Sequence, residues 1–110
     1  MKTFVVIGMG RFGQAVAVKL AELGHEVLAI DEDEVKIQKV SEYVTRAVVG
    51  DAKEERTLKA MGVRNYDCAI LAIGSDIGDS VLITLALKEL GVKEVICKAH
   101  EIQQKKYFLK

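Results

Sequence analysis

Apolar runs of three to six residues recur along this chain, separated by stretches of helical length. They fall at Thr3 to Ile7, Val27 to Ile30, Ala47 to Val49, Cys68 to Ile73 and Val95 to Cys97. Short unbroken apolar segments of this kind suit parallel strands, because helices packed on both faces of a sheet leave no polar side. Between the runs the spacing predicts four helices. The first presents Phe12, Val16, Leu20 and Leu23 at three- and four-residue intervals, one face of a helix, and Leu23-Gly24-His25 stops it. Another follows the acidic turn Asp31-Glu32-Asp33-Glu34. A third begins near Lys53 and ends at Met61-Gly62, where Gly62 suits a left-handed C-terminal position. The fourth runs from about Asp79 to Leu90 and is stopped by Gly91. Its apolar residues, Val81, Leu82, Ile83, Leu85, Ala86, Leu87 and Leu90, cover most of the circumference. One sheet cannot bury all of them, so part of this helix is expected to meet another chain.

Gly8-Met9-Gly10-Arg11-Phe12-Gly13 lies between the first strand and the first helix. In such a turn the first glycine permits a tight bend and the second lets backbone approach a pyrophosphate. The third lets helix pack closely on strand. A phosphate then meets unpaired N–H groups and the positive end of the helix dipole. Arg11 stands where a guanidinium can pair bidentately with phosphate oxygens; otherwise it is a solvated first-turn side chain. Asp31 ends the second strand about 20 residues beyond the glycines, the place of a carboxylate that accepts from ribose hydroxyls and repels a 2′-phosphate. It could instead be a solvated residue of its acidic turn.

These elements predict an α/β fold, a Rossmann-like doubly wound parallel sheet with helices on both faces. The ligand crevice then lies at the carboxyl ends of the strands. Gly8 to Gly13, Asp31 to Asp33, Gly50-Asp51-Ala52, Gly74-Ser75-Asp76 and Lys98 all fall in loops at that edge. Asp51 could cap the helix containing Glu54 and Leu58, which is compatible with a ligand role. Lys98 could be a strand-end lysine with its head in water.

At 110 residues, half of them apolar, the chain suits one domain with a real core. Sixteen basic and sixteen acidic residues cancel, which removes the positive field a nucleic-acid partner would need. No apolar stretch nears the roughly 18 residues of a membrane span. Together with a start that leads directly into a strand, this predicts a soluble cytoplasmic domain. Cys68 and Cys97 fall inside strands and are expected to be small buried hydrophobes. The end of the chain, Glu101 to Lys110, has a helical pattern with Ile102, Tyr107, Phe108 and Leu109 needing cover. A full nucleotide fold would add one more strand, so the domain is expected to be truncated before it.

With the glycine turn, the acid, Val49-Gly50-Asp51-Ala52 and Lys98-Ala99 in place, the chain resembles the N-terminal nucleotide-binding lobe of the RCK family. These regulators of potassium conductance, also called KTN or TrkA-N domains, include the cytoplasmic subunits of Ktr- and Trk-type potassium transporters. The resemblance spans nearly the whole sequence. It implies binding of ATP or ADP, or alternatively NAD or NADH, by a homodimer or higher homo-oligomer that gates a membrane-embedded potassium transporter subunit. It also implies roles for single residues. Gly8, Gly10, Phe12 and Gly13 belong to the matching glycine motif, and Arg11 matches an arginine that reaches terminal phosphates. Asp31 matches the ribose acid, and Asp33 a position near sugar and phosphates. Asp51 and Ala52 border the adenine, Ala72, Ile73 and Gly74 floor the pocket, and Lys98 lies near the phosphates. The family's C-terminal lobe and the last strand of its nucleotide lobe are not expected within these residues, so the resemblance bears less directly on ring assembly and on sensing by that lobe than on the nucleotide site.

The residues also admit an enzyme, the NAD-binding lobe of a dehydrogenase. Hydride transfer usually needs an acid or base facing the nicotinamide. His25 falls at the wrong edge of the sheet, and His100 has no evident orienting carboxylate. A dimerisation domain with a vestigial pocket is a third reading, but it gives Asp31 and Arg11 no reason to occur together.

Overall fold

A computed structural model describes residues 1–74 and 77–97. Its elements, in chain order, are β1 (Thr3–Ile7), α1 (Arg11–Glu22), β2 (Glu26–Asp31), α2 (Glu34–Val40) and β3 (Arg46–Val49). These are followed by α3 (Glu55–Ala60), a 3-10 turn (Val63–Asn65), β4 (Cys68–Leu71), α4 (Ile77–Glu89) and β5 (Glu94–Cys97). The five strands form one all-parallel sheet in the order β3-β2-β1-β4-β5. The order reverses beside β1, which pairs with β2 on one side and β4 on the other; Phe4, for example, stands opposite both Val27 and Cys68. The Rossmann-like doubly wound sheet is therefore observed, and the crevice expected at its switch point opens above β1. Lys98, His100, Ser75, Asp76 and the helix expected over Glu101 to Lys110 lie outside the described residues.

Successive residues of a strand point to opposite faces, and the two faces build separate cores. Val5, Ile7, Leu28, Ile30, Ala69 and Leu71 point toward Leu58 of α3 and Ile83 and Leu87 of α4. Val6, Val27 and Ala29 point the other way, toward Ala17 of α1 and Ile37 and Val40 of α2. A fully buried Val, Leu or Ile contributes about 1.5–3 kcal/mol relative to exposure. The sheet thus draws on both faces for its stability.

Gly62 adopts the left-handed conformation expected of it after α3, with φ +73°. Three other expectations are corrected. The face of α1 that meets the sheet is centred on Gly13 and Ala17, with Val16 and Leu20 at its flank, while Phe12 is 42% and Leu23 62% exposed. Small residues occupy the contact because the helix lies almost on the strand: a Cβ at Gly13 would fall 1.7 Å from the Gly8 carbonyl oxygen. Of the two cysteines only Cys68 is buried; Cys97 sits exposed on edge strand β5, its Sγ 3.5 Å from Thr84 Oγ1. Burial pushes the Cys68 thiol above its ordinary pKa, which keeps it unreactive. Asp51 does not cap α3, since Glu54 occupies that position.

On α4 only Ile83 and Leu87 are buried. Val81, Leu82 and Leu85 remain about half exposed or more, at 49%, 59% and 57%. No helix among the described residues is long and apolar enough to cross a membrane.

Candidate functional site

The turn after β1 is fixed by three backbone constraints. Gly8 has φ +101°, and a Cβ there would lie 2.9 Å from the Ala72 carbonyl carbon. Its N–H donates to the Ile30 carbonyl at 2.8 Å, while Ala72 N–H donates to the Ile7 carbonyl at 2.7 Å. Ala72 therefore buttresses the turn from β4. Met9 points inward and is fully buried in the α1/α2 core. Gln14, which sequence reasoning passed over, donates from Nε2 to the Met9 carbonyl at 2.8 Å and ties the turn to α1.

The residue after the bend, Gly10, caps the amino end of α1 without a side-chain hydrogen bond, and the first turn of that helix carries no acid. Nothing lies within 4 Å of where a Cβ at Gly10 would stand. A helix start whose own N-cap residue brings no side-chain acceptor, and whose first turn has no acid, leaves the positive end of its dipole unopposed from within the helix. Arg11 is exposed at the first position of this helix, with Phe12 half exposed beside it.

Asp31 ends β2 facing the same opening. Its Oδ2 accepts from Met9 N–H at 2.6 Å and its Oδ1 from Asp33 N–H at 2.7 Å, while its own carbonyl accepts from Gly50 N–H at 3.0 Å. One residue thereby joins the glycine turn, the start of α2 and the end of β3. Each oxygen retains a lone pair for a further donor. Asp33 serves the next helix instead, its Oδ1 accepting from Val35 and Lys36 N–H at 2.9 and 3.4 Å and so capping α2. Asp51 holds the turn before α3, its Oδ1 accepting from Lys53 N–H at 2.9 Å.

These loops surround a cleft of about 150 Å3 at the carboxyl ends of the strands. Of the candidate residues, Gly8, Asp31, Asp51, Ala52, Ile73 and Gly74 line it. Gly10, Arg11, Phe12 and Gly13 form the adjoining turn and helix start, whereas Ala72, which is buried, and Asp33, which is exposed at the start of α2, do not line it. Ala72, expected at the pocket floor, is buried and packs against Gly8. Sequence reasoning gave no site role to three charged lining residues, Glu32, Lys53 and Asp79, or to three apolar ones, Ile7, Ile30 and Ile83. Glu32 and Lys53 closely follow Asp31 and Asp51 in the chain, and that adjacency was the available signal. The Lys53 ammonium lies 3.6 Å from Glu32 Oε2 and 3.9 Å from Asp51 Oδ1. Asp51, then Asp79 and Glu32, hold its pKa above the ordinary lysine value.

The TrkA-N domain family model matches residues 4–110. The chain belongs to the TrkA-N family. A curated relative agrees: the Ktr system potassium uptake protein C of Bacillus subtilis is 45% identical over 109 residues, which are 99% of this chain and 49% of that protein. The chain thus spans about half the length of the curated relatives it matches. Among solved structures, the NAD(P)-binding domain of an exopolyphosphatase-related protein from Archaeoglobus fulgidus superposes with a TM-score of 0.80 at 24% identity, covering 98% of this chain and 80% of that one. The Kef C-terminal domain of Shewanella denitrificans, in an AMP-bound form, gives 0.77 at 22% identity, covering 97% of this chain and 65% of that one. At these identities the two structures bear out the fold, and the family assignment rests on the sequence match. The glycine turn, the Asp31 carboxylate and the cleft of this TrkA-N domain together form a site suited to a nucleotide.

Proposed function

We propose that this TrkA-N domain is a cytoplasmic regulatory module that binds an adenine nucleotide, ATP or ADP or alternatively NAD or NADH, and gates a membrane-embedded potassium transporter subunit. The observation that carries the reading is the Asp31 carboxylate, oriented by two N–H donors at the rim of a cleft that adjoins an uncapped helix start. In this reading the ribose diol donates to Asp31, and the phosphates lie against the N–H groups at the start of α1. Arg11 reaches the terminal phosphates. Asp51 and Ala52 border the base, with Ile73 and Gly74 beneath it, and Lys98 adds charge at the phosphate side. Asp33 acts by holding α2, and with it the Asp31 loop, in place.

Gating requires that the ligand prefer one of two states of the assembly. ATP carries a phosphate that ADP lacks, and Arg11 is exposed where it could read the difference. The Ktr potassium uptake protein among the relatives supports a potassium transporter as partner and a regulatory rather than catalytic role. The half-exposed α4 residues Val81, Leu82 and Leu85 support a homodimer or higher homo-oligomer. His25, a candidate for proton transfer by its chemistry, accepts from Lys2 N–H at 3.0 Å and packs edge-on against Phe4 at the amino ends of the strands. That position does not favour the dehydrogenase alternative.

Thermal melting with ATP, ADP, NAD, NADH and NADP tests the reading. A ligand at 100 times its Kd stabilises a folded domain by about 2.7 kcal/mol. ATP or ADP should raise the melting temperature more than NADP, and Arg11→Ala should reduce the ATP response more than the NAD response. Stabilisation by NAD and NADH alone would favour a dehydrogenase lobe, and no response to any of the five would refute nucleotide binding.

A further inference from the structure

We propose that Lys53 sets the charge selectivity of the cleft: by balancing the carboxylates at its nucleoside end, this residue admits ligands that carry several phosphates. The proposal rests on the adenine-nucleotide reading of the site. Asp31, Glu32, Asp51 and Asp79 come from three segments, the end of β2, the loop after β3 and the first turn of α4, to line the cleft. Lys53 is the one basic residue among the described lining residues. Its ammonium spans the gap between Glu32 Oε2 and Asp51 Oδ1, at 3.6 and 3.9 Å, and so bridges two of the three segments. Its main chain is fixed by the same Asp51 oxygen that draws its side chain inward. Like any lysine it is charged throughout the neutral range, and the neighbouring carboxylates only raise its pKa further.

As a contribution to folding, an exposed ion pair of this kind matters little. The charge of a cleft acts differently, because low-dielectric walls focus the field on whatever enters. Without the Lys53 charge, a nucleotide would approach four carboxylates with no basic residue left among the described lining residues. Adenosine, which is uncharged, would be indifferent to that change. The penalty should grow from AMP to ADP to ATP and shrink as salt screens it. Because the phosphates belong at the start of α1, Lys53 acts on them through its field and not by a fixed contact. Arginine should therefore replace it.

Titration calorimetry with adenosine, AMP, ADP and ATP on the wild type, Lys53→Met and Lys53→Arg tests this. At about 0.05 M salt, Lys53→Met should bind ATP roughly fivefold more weakly, ADP somewhat less affected, and adenosine within about twofold of wild type. The differences should largely vanish at about 0.5 M salt, and Lys53→Arg should match wild type. The unliganded melting temperature should be the same for all three proteins. Wild-type affinities for the whole series in Lys53→Met would overturn the proposal while leaving nucleotide binding intact. An equal loss for adenosine and ATP, or a lowered unliganded melting temperature, would also overturn it, by showing a contact or a structural role. A wild type that binds none of the four would refute the underlying reading as well.

Discussion

The two edges of this sheet satisfy their polar groups in opposite ways. At the amino ends of the strands the protein closes on itself: Thr3 N–H and Oγ1 donate to Asp67 Oδ2 at 2.8 and 3.1 Å, and Asp67 N–H donates back to Thr3 Oγ1 at 2.9 Å. Lys2 N–H and His25 Nδ1 make a similar tie across the next pair of strands. At the carboxyl ends, α1 begins with no side-chain cap, and acids from three segments face a cleft. Both edges belong to the same five strands, so the sheet alone does not make a site. The cleft arises where the loops bring a helix start and carboxylates from three segments together.

Substitutions at each edge can separate these roles, and the largest effect is expected at Gly13. A Cβ there would overlap the Gly8 carbonyl oxygen, a backbone atom that no side-chain rotation can move aside. Gly13→Ala should cost more than about 3 kcal/mol in urea unfolding, or prevent folding, and any folded fraction should bind no nucleotide. Next is Asp31→Asn, which turns an NH2 group toward one of two backbone donors. It should lower stability by about 1–3 kcal/mol and weaken ADP at least tenfold in calorimetry, a change that charge-assisted hydrogen bonds can account for.

Asp67→Asn should act on folding alone. Thr3 N–H and hydroxyl hold the Asp67 carboxyl below its ordinary value of 3.8. A folded-state pKa below the unfolded one gives stability that is present above the ordinary carboxylate range and lost as pH falls through the folded value. Urea midpoints of Asp67→Asn should therefore fall below wild type at pH 7 and converge with it in acid, while ADP affinity stays unchanged. If ADP affinity falls as well, the two edges are not separable. The smallest effect on the single chain is expected for Leu82→Lys on α4, within about 0.5 kcal/mol of wild type. Sedimentation should nevertheless show reduced self-association if that face meets a second copy.

The fold was legible because each strand is an apolar run, largely buried in β1, β2 and β4 and part-exposed in the edge strands β3 and β5, and because Gly62 and Gly91 mark helix ends with positive φ. The glycine turn was legible because Gly8 and Gly13 occupy positions that admit no Cβ. Phe12 and Leu23 misled the reading of α1. Hydrophobic spacing favours large residues, whereas the close approach of helix and strand selects Gly13 and Ala17. Asp33 and Asp51 show a second limit, since an aspartate at a loop end has the same identity whether it caps, holds a turn or contacts a ligand. Glu32 and Lys53 adjoin Asp31 and Asp51 and were legible to that extent; that they meet Asp79 was not, because the three segments are distant in sequence, follow no period, and converge only in the fold.

Nucleotide binding at the start of α1 is the central claim, and amide chemical shifts of the 15N-labelled domain titrated with ADP test it most directly. The account predicts saturable shifts that are largest at Gly10, Arg11, Phe12 and Gly13, with a second group at Asp31 to Asp33, and loss of both groups in Asp31→Asn. Unperturbed amides at those positions with millimolar ADP, or shifts confined to other surfaces, would contradict it.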